Sequence, residues 1–263
     1  MNAAGLIAGA AEMIASSLHV VAMTGAGIAV ASGIPTFRGR DGIWSRHGTP
    51  APDAYSQFLE DPEAFWKREQ LRRSEPWITE LRTALSAATP NAGHTALAEL
   101  EKGGALRTIV TQNIDGLHQD AGSRSVVEIH GSRHKLRCVD CGARTPREEL
   151  FMSQAPPPCV SCGGRVKFDS VLFGEPIPAE ALEDAMAAAN QADCVLVVGT
   201  SASVRPAGGI PRIARANGAK LIEINTSETG LSKSCDVVLK GKAAELLPRL
   251  VAAVALGHAR SSQ

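Results

Sequence analysis

A short, mostly apolar run at residues 19–23 passes through Thr24 straight into Gly25-Ala26-Gly27, and few local structures accommodate that juncture. It reads as a buried strand followed by a turn that only small side chains allow. Such a turn predicts a phosphate cradle: glycines let the backbone approach a diphosphate, and a helix starting near Ala26 would turn free N–H groups toward the anion. The G-x-G-x-x-G fingerprint is incomplete, because Val30 occupies its third glycine position. The continuation Gly33-Ile34-Pro35-Thr36-Phe37-Arg38 adds a stiff turn, an aromatic ring and a fixed cation within one loop.

Five more apolar runs follow, at residues 106–111, 126–129, 193–199, 219–224 and 236–239, and helical segments separate most of them. Apolar runs alternating with helices imply an α/β fold, a Rossmann-like parallel sheet with helices on both faces. Ligands of such sheets gather at the carboxyl ends of the strands. The residues found there form a consistent set: Gly25 to Gly27, then Gln112, Asn113, Ile114 and Asp115, then His130 and Gly131, then Thr200 and Ser201, then Asn225. Among the seven histidines, His130 stands apart because it ends a β-branched run and precedes a glycine. His94 and His118 are expected on helices, making structural hydrogen bonds. Residues 4–17 read as an amphipathic helix, 91–100 as a capped helix and 41–52 as a flexible polar lid around Trp44. Residues 55–88 have helical periodicity, with Phe58, Phe65, Trp66, Leu71, Trp77, Leu81 and Leu85 as buried positions.

Between the third and fourth runs lie Cys138-Val-Asp-Cys141 and, seventeen residues on, Cys159-Val-Ser-Cys162. Two such knuckles supply four thiolates to one tetrahedral Zn2+ and leave no open position, so the spacing predicts one structural zinc per chain. Cys194 and Cys235 fall in apolar strand-like runs and read as small buried hydrophobes. Formal net charge is zero, which argues against a broad electrostatic grip on nucleic acid or anionic membrane. The small basic cluster Arg133, His134, Lys135 and Arg137 reads as solvated charge. No apolar run is long enough to span a bilayer and no cleavable leader is evident, so a cytoplasmic location is expected.

GAGIAVASGIPTFRG, TQNIDGLHQDAG, the His130-Gly131 pair, the double CxxC, FGE at 173–175, GTSASVRPA at 199–207 and EIN at 223–225 occur in order. Together they resemble the sirtuins, NAD-dependent protein lysine deacylases, over nearly the whole chain. The resemblance implies a Rossmann-like NAD domain at residues 1–40, 89–132 and 168–263. It adds a helical insert with the cofactor loop at 41–88 and a zinc ribbon at 133–167, the last two forming a small second domain. It further implies that Gly25, Ala26, Gly27, Phe37 and Arg38 contact NAD as co-substrate, with Phe37 shielding the ribose once nicotinamide has left. Gln112, Asn113, Ile114 and Asp115 would bind the nicotinamide ribose and carboxamide. Gly199, Thr200, Ser201, Asn225 and Ala243 would hold the adenosine half. His130 would be the general base, with Asn113 ordering the ribose and water.

By the same resemblance, Phe173, Gly174 and Glu175 on one side and Ser203 to Arg205 on the other hold an extended acyl-lysine peptide, with Val171 against the acyl-lysine. The products would be lysine, nicotinamide and O-acyl-ADP-ribose. The partners are acylated lysines of other proteins, with neither nucleic acid nor membrane, and no oligomeric state is implied. Three positions depart from the pattern. Ala29 replaces a common serine, and Phe168 replaces the proline usual before FGE. Trp66 and Glu69 align with the Tyr-x-x-Arg pair of relatives that prefer acidic acyl groups, and a glutamate there would repel such groups, so acetyl or longer apolar chains are expected. Two other readings use the same motifs: mono-ADP-ribosyl transfer to protein, and a zinc-ribbon module that binds NAD or ADP-ribose without turnover.

Overall fold

The structure, a computed structural model, describes residues 2–39, 42–147 and 158–261. Among the described residues the strands are β1 (Val20–Thr24), β2 (Leu106–Thr111), β3 (Val126–Glu128), β4 (Lys135–Cys138), β5 (Arg144–Pro146), β6 (Val166–Phe168), β7 (Cys194–Val198), β8 (Lys220–Asn225) and β9 (Val237–Lys240). The helices are α1 (Ala3–Ala15), α2 (Ala26–Ala29), α3 (Ile43–His47), α4 (Ala54–Glu60), α5 (Pro62–Arg72), α6 (Pro76–Ala87), α7 (Ala92–Lys102), α8 (Leu117–Asp120), α9 (Ala179–Gln191), α10 (Ile210–Ala216) and α11 (Ala243–Ser261).

All six apolar runs become strands of one parallel sheet in the order β3-β2-β1-β7-β8-β9. Their side chains alternate between two cores. Val20 and Ala22 of β1, with Cys194, Leu196 and Val198 of β7, face α1, α7 and α11. Val21, Met23, Val195 and Val197 face α9 and α10. Burial on both faces is why these strands are continuous apolar runs rather than alternating ones. The chain leaves β1 toward β2 and β3, then returns to the other side of β1 as β7, so the strand order switches direction between β1 and β7. The carboxyl ends of those two strands form the crevice where open α/β sheets take their ligands.

A second sheet, antiparallel and ordered β5-β4-β6, carries the cysteine knuckles. It shares one core with the helical insert: Phe58, Phe65, Trp66 and Leu136 are buried together, with Tyr55, Val166, Phe168 and Leu172 packed against them. Trp66 donates its indole N–H to the Val166 carbonyl at 3.1 Å, and its ring lies 4.5 Å from that of Phe168. Phe168 therefore fills the joint between insert and ribbon, which accounts for an aromatic ring at that position.

Two readings need correction. Leu71 is 75% exposed, because at 100° per residue it has rotated off the arc of α5 that buries Phe65 and Trp66. Cys235 is only half-buried and lies before β9, delivered by the 3₁₀ turn Ser232–Ser234, while Cys194 is fully buried in β7. Trp77, Leu81 and Leu85 are half-buried along one stripe of α6.

The Sγ atoms of Cys138, Cys141, Cys159 and Cys162 all lie within 4.8 Å of one another. Cys138 to Cys162 measures 3.6 Å and Cys141 to Cys159 3.7 Å. Four thiolates about 2.3 Å from a tetrahedral zinc would stand about 3.8 Å apart, so the cage fits a structural zinc. Asp140 holds the knuckles together, accepting from the Arg165 backbone N–H at 2.7 Å and from its guanidinium at 2.5 Å. Replacing Cys159 by Ala is expected to lower zinc stoichiometry well below one per chain. It should also lower Tm by about 5 °C or more, the effect of about 2 kcal/mol in a chain of this size. Metal analysis with thermal unfolding checks both, and unchanged stoichiometry would remove Cys159 from the ligand set.

Candidate active site

The turn after β1 crosses the turn after β7 at very short range. Gly25 donates its N–H to Val198 O at 3.1 Å and Gly27 to Gly199 O at 2.8 Å. A Cβ on Gly27 would lie 2.6 Å from Gly199 Cα, and one on Gly199, whose φ is +60°, would lie 2.5 Å from Ile28 N. The glycines are thus required first by the crossing of two loops. Helix α2 is a single turn, so its dipole is small, and the Gly27 N–H is spent on Gly199. The cradle consequently offers fewer free donors than the sequence suggests.

Beneath the turn, the hydroxyls of Thr24 and Thr111 hydrogen-bond at 2.9 Å, and Thr24 Oγ1 meets His118 Nε2 at the same distance. Thr111 Oγ1 also accepts the Asn113 N–H at 3.1 Å. Asn113 then reaches across the crevice, its Nδ2 donating to Gly25 O at 3.3 Å, while Gln112 Nε2 donates to Thr200 Oγ1 at 2.7 Å. Asp115 is 6% exposed, and its carboxylate accepts the Leu117 N–H at 3.0 Å. Burial raises its pKa, with that hydrogen bond opposing. Ile114 is half-buried and its carbonyl accepts the Arg133 N–H.

His130 enters from the end of β3. Its Nδ1 lies 3.1 Å from the Gln112 carbonyl, which can only accept. Nδ1 therefore carries the proton and Nε2 is left with a bare lone pair. Burial lowers the pKa of His130 from 6.5, the Gln112 carbonyl opposing, so the ring is neutral at pH 7. Gly131, at φ +78°, has no room for a side chain: a Cβ would stand 2.2 Å from Asp169 O. The backbone of His130 accepts the Val171 N–H at 3.0 Å, which places Val171 beside the imidazole strand.

On the β8 side, Asn225 donates to Thr200 O at 3.2 Å, and its own carbonyl accepts the Gly241 N–H just before Ala243 opens α11. Arg38 donates to Ser203 Oγ at 3.1 Å, and Ser203 meets Ser201 Oγ at 2.9 Å. Trp44 joins the two halves of the rim. Its ring lies 5.2 Å from Phe37 and 5.3 Å from Phe173, with the Arg38 guanidinium 5.3 Å from its centre. The sequence marked Trp44 only as a lone aromatic in a lid. A large ring between a cofactor loop and a substrate edge was the available signal. Phe173 O accepts the Tyr55 N–H at 3.0 Å, tying this edge to the insert, and Gly174 is exposed beside it.

The Glu175 side chain faces inward, away from the rim, and is 1% exposed. It pairs with Arg137 at 2.5 Å and Lys167 at 2.9 Å. Of the part expected for it in a substrate edge, only its backbone is placed to contribute. Arg137, read as solvated charge, is 7% exposed and donates to both Glu175 and Asp169.

A Rossmann-like sheet whose switch point gathers an imidazole, a carboxamide and a buried carboxylate, with a four-cysteine ribbon inserted, defines a narrow class of nucleotide-binding α/β proteins. Residues 25–206 match the Sir2 family, and the chain belongs to it. An NAD-dependent protein deacylase of Pyrobaculum aerophilum is 45% identical over 245 residues, 92% of this chain and 93% of the relative. A solved Sir2 homologue mutant in complex with ADP-ribose is 40% identical at TM-score 0.77, covering 95% of this chain and 96% of that one. A structure of Sir2Af2 bound to a myristoylated histone peptide is 37% identical at TM-score 0.69, covering 99% and 100%.

His94 and His118 lie on α7 and α8, their rings 5.0 Å apart. Burial lowers their pKa values to about 4 and about 3. Both are neutral in the fold and charge more readily when unfolded, so the stability they contribute is present above pH 6.5 and lost as pH falls toward 4. Urea unfolding should show a loss of up to about 1.4 kcal/mol per pH unit for each. Equal unfolding free energies at pH 7.5 and pH 4.5 would contradict the neutral assignment.

Proposed function

We propose that this chain is an NAD-dependent protein lysine deacylase that takes acylated lysines in extended peptides and releases lysine, nicotinamide and O-acyl-ADP-ribose. The observation that carries the reading is the His130 ring, locked by the Gln112 carbonyl with Nε2 bare, on the same rim as Asn113, Asp115 and the Gly25 turn. NAD supplies the glycosidic bond that is broken and the ribose hydroxyl that ends up acylated.

The chain's own residues divide the remaining work. Gly25, Ala26 and Gly27 form the floor under the diphosphate, and Phe37 and Arg38 close over it. Gly199, Thr200, Ser201, Asn225 and Ala243 take the adenosine half. Gln112, Ile114 and Asp115 orient the nicotinamide end, Asp115 from a nearly dry position where a carboxylate hydrogen bond to the carboxamide is strong. Asn113 fixes the ribose and a water molecule. A neutral imidazole with a free Nε2 can take a proton from a ribose hydroxyl at pH 7, which is the role of His130. Val171, Phe173, the backbone of Gly174 and Glu175, and Ser203 border the peptide, which binds by strand addition so that sequence preference is loose.

On this reading the chain comprises an NAD domain (1–40, 89–132, 168–263), an insert (41–88) and a ribbon (133–167). Six cysteines, four of them gathered as metal-ligand thiols, favour a reducing compartment such as the cytoplasm. Among the described residues no helix is long and apolar enough to cross a membrane.

Incubation with acyl-lysine peptides, with and without NAD, followed by peptide mass and nicotinamide release, tests the activity. His130→Ala should cut turnover by about 100-fold or more while NAD still binds, and the acid limb of kcat/KM should lie below pH 6.5 in the parent. Retained turnover in that variant would remove the base assignment. Acetylated peptide should be turned over about tenfold or more faster than its succinylated form, since Glu69, which aligns with the arginine of relatives that prefer acidic acyl groups, offers no cation to such a group. Equal rates would overturn the preference.

A further inference from the structure

Lys167 is the most deeply buried cation among the described residues, its side chain 1% exposed at the start of the segment that leads into FGE. Its ammonium has three protons and meets three acceptors: Phe168 O at 2.7 Å, Ser170 O at 2.7 Å and Glu175 Oε2 at 2.9 Å. All three belong to the next eight residues of the same chain. Glu175 Oε2 also accepts the Leu172 N–H at 2.7 Å, and its Oε1 takes Arg137. Carbonyls of alternate residues and a carboxylate would not converge in a dry interior unless a compact cation with divergent donors stood between them. A planar guanidinium does not offer that geometry.

The loop so wound presents its other side to the site. Val171 donates to His130 O, Phe173 meets Trp44, and Phe173 O accepts from Tyr55. We infer that Lys167 is a positioning residue for acyl-lysine binding: its ammonium is the internal cation around which residues 168–175 are folded into the edge that receives the substrate. The inference rests on the deacylase reading above. A buried ion pair of this sort adds little net stability, so what it supplies here is shape. Asp169 shares the arrangement, joining Arg137 and Arg144 to the Ser132 N–H next to His130-Gly131.

Burial pulls the Lys167 ammonium down to about 8, with Glu175 and Asp169 holding it up and Arg137 pushing it down. Burial, and after it the nearby Glu175, raises the pKa of Tyr55. The test uses full-length, zinc-loaded protein, an acetyl-lysine peptide and NAD. In the parent, peptide KM should rise about fivefold or more between pH 7 and pH 9.5 as the ammonium loses its proton, with NAD KM changing less than about twofold. Lys167→Met should raise peptide KM at pH 7 by about tenfold or more and abolish the alkaline rise, at unchanged NAD KM and zinc content. Lys167→Arg should lose the alkaline rise as well, since a guanidinium does not titrate there. Where the loss of one cation beside Glu175 prevents folding of the single variant, Lys167→Met/Glu175→Gln serves instead. A flat peptide KM across that pH range in the parent, or a folded variant with peptide KM within twofold of it, overturns the inference. A parent protein with no NAD-dependent turnover on any acyl peptide removes the deacylase reading itself.

Discussion

Two turns pass each other at the centre of this molecule with no space for a single methyl group between them. The contact of Gly25 and Gly27 with Gly199 lets β1 and β7 lie side by side at the switch point while both strand ends stay open. Everything that converges on the crevice is hung from that contact. Asn113 anchors on Gly25 O, Gln112 on Thr200, Thr200 on Asn225, and the Thr24–Thr111 pair lies directly below. The glycines required to bring a diphosphate close are the same ones required to bring the two loops together, and packing alone demands them.

A second layer of order comes from the small lobe. Zinc ligation fixes two knuckles at the ends of short strands that could not hold together on three residues each. From those strands Arg137, Arg144 and Lys167 extend into the seam with the large domain, where Asp169 and Glu175 receive them. Such charges are costly to bury and return little stability, yet Asp169, Glu175 and Lys167 each also hold a backbone group of the seam: Ser132 N, Leu172 N, and Phe168 O with Ser170 O. The four-cysteine cage is thereby linked, through the strands that carry these charges, to the segment of residues 168–175.

Electrostatically, burial works against charge at the centre of the site. Burial lowers the pKa of His130, His118 and His94 and raises that of Asp115. Of the three imidazoles only His130 has a nitrogen directed to the rim by a backbone acceptor, whereas His94 Nε2 and His118 Nδ1 are buried without a protein partner. What separates His130 from the other two is its partner: its ring meets the Gln112 carbonyl, whereas His94 Nδ1 accepts the Asn91 N–H and His118 Nε2 meets the Thr24 hydroxyl.

Much of this was legible in the chain itself. Continuous apolar runs ending in small or polar residues specified a doubly covered parallel sheet and the edge at which to look, because burial on two faces suppresses alternation. The paired CxxC knuckles specified a tetrahedral cage, because four thiolates at that spacing satisfy one ion. Local pattern could not reveal partners distant in sequence. Arg137 looked like surface charge until Asp169 and Glu175, more than thirty residues away, closed over it. Glu175 looked like a substrate contact until its carboxylate turned inward, and Trp44 looked like an isolated lid residue until Phe37 and Phe173 met it. Periodicity and spacing are properties of neighbours along the backbone, so they decide elements and ligand sets; where a charge or a ring finally points depends on which chain segment arrives opposite, and that is settled only by packing.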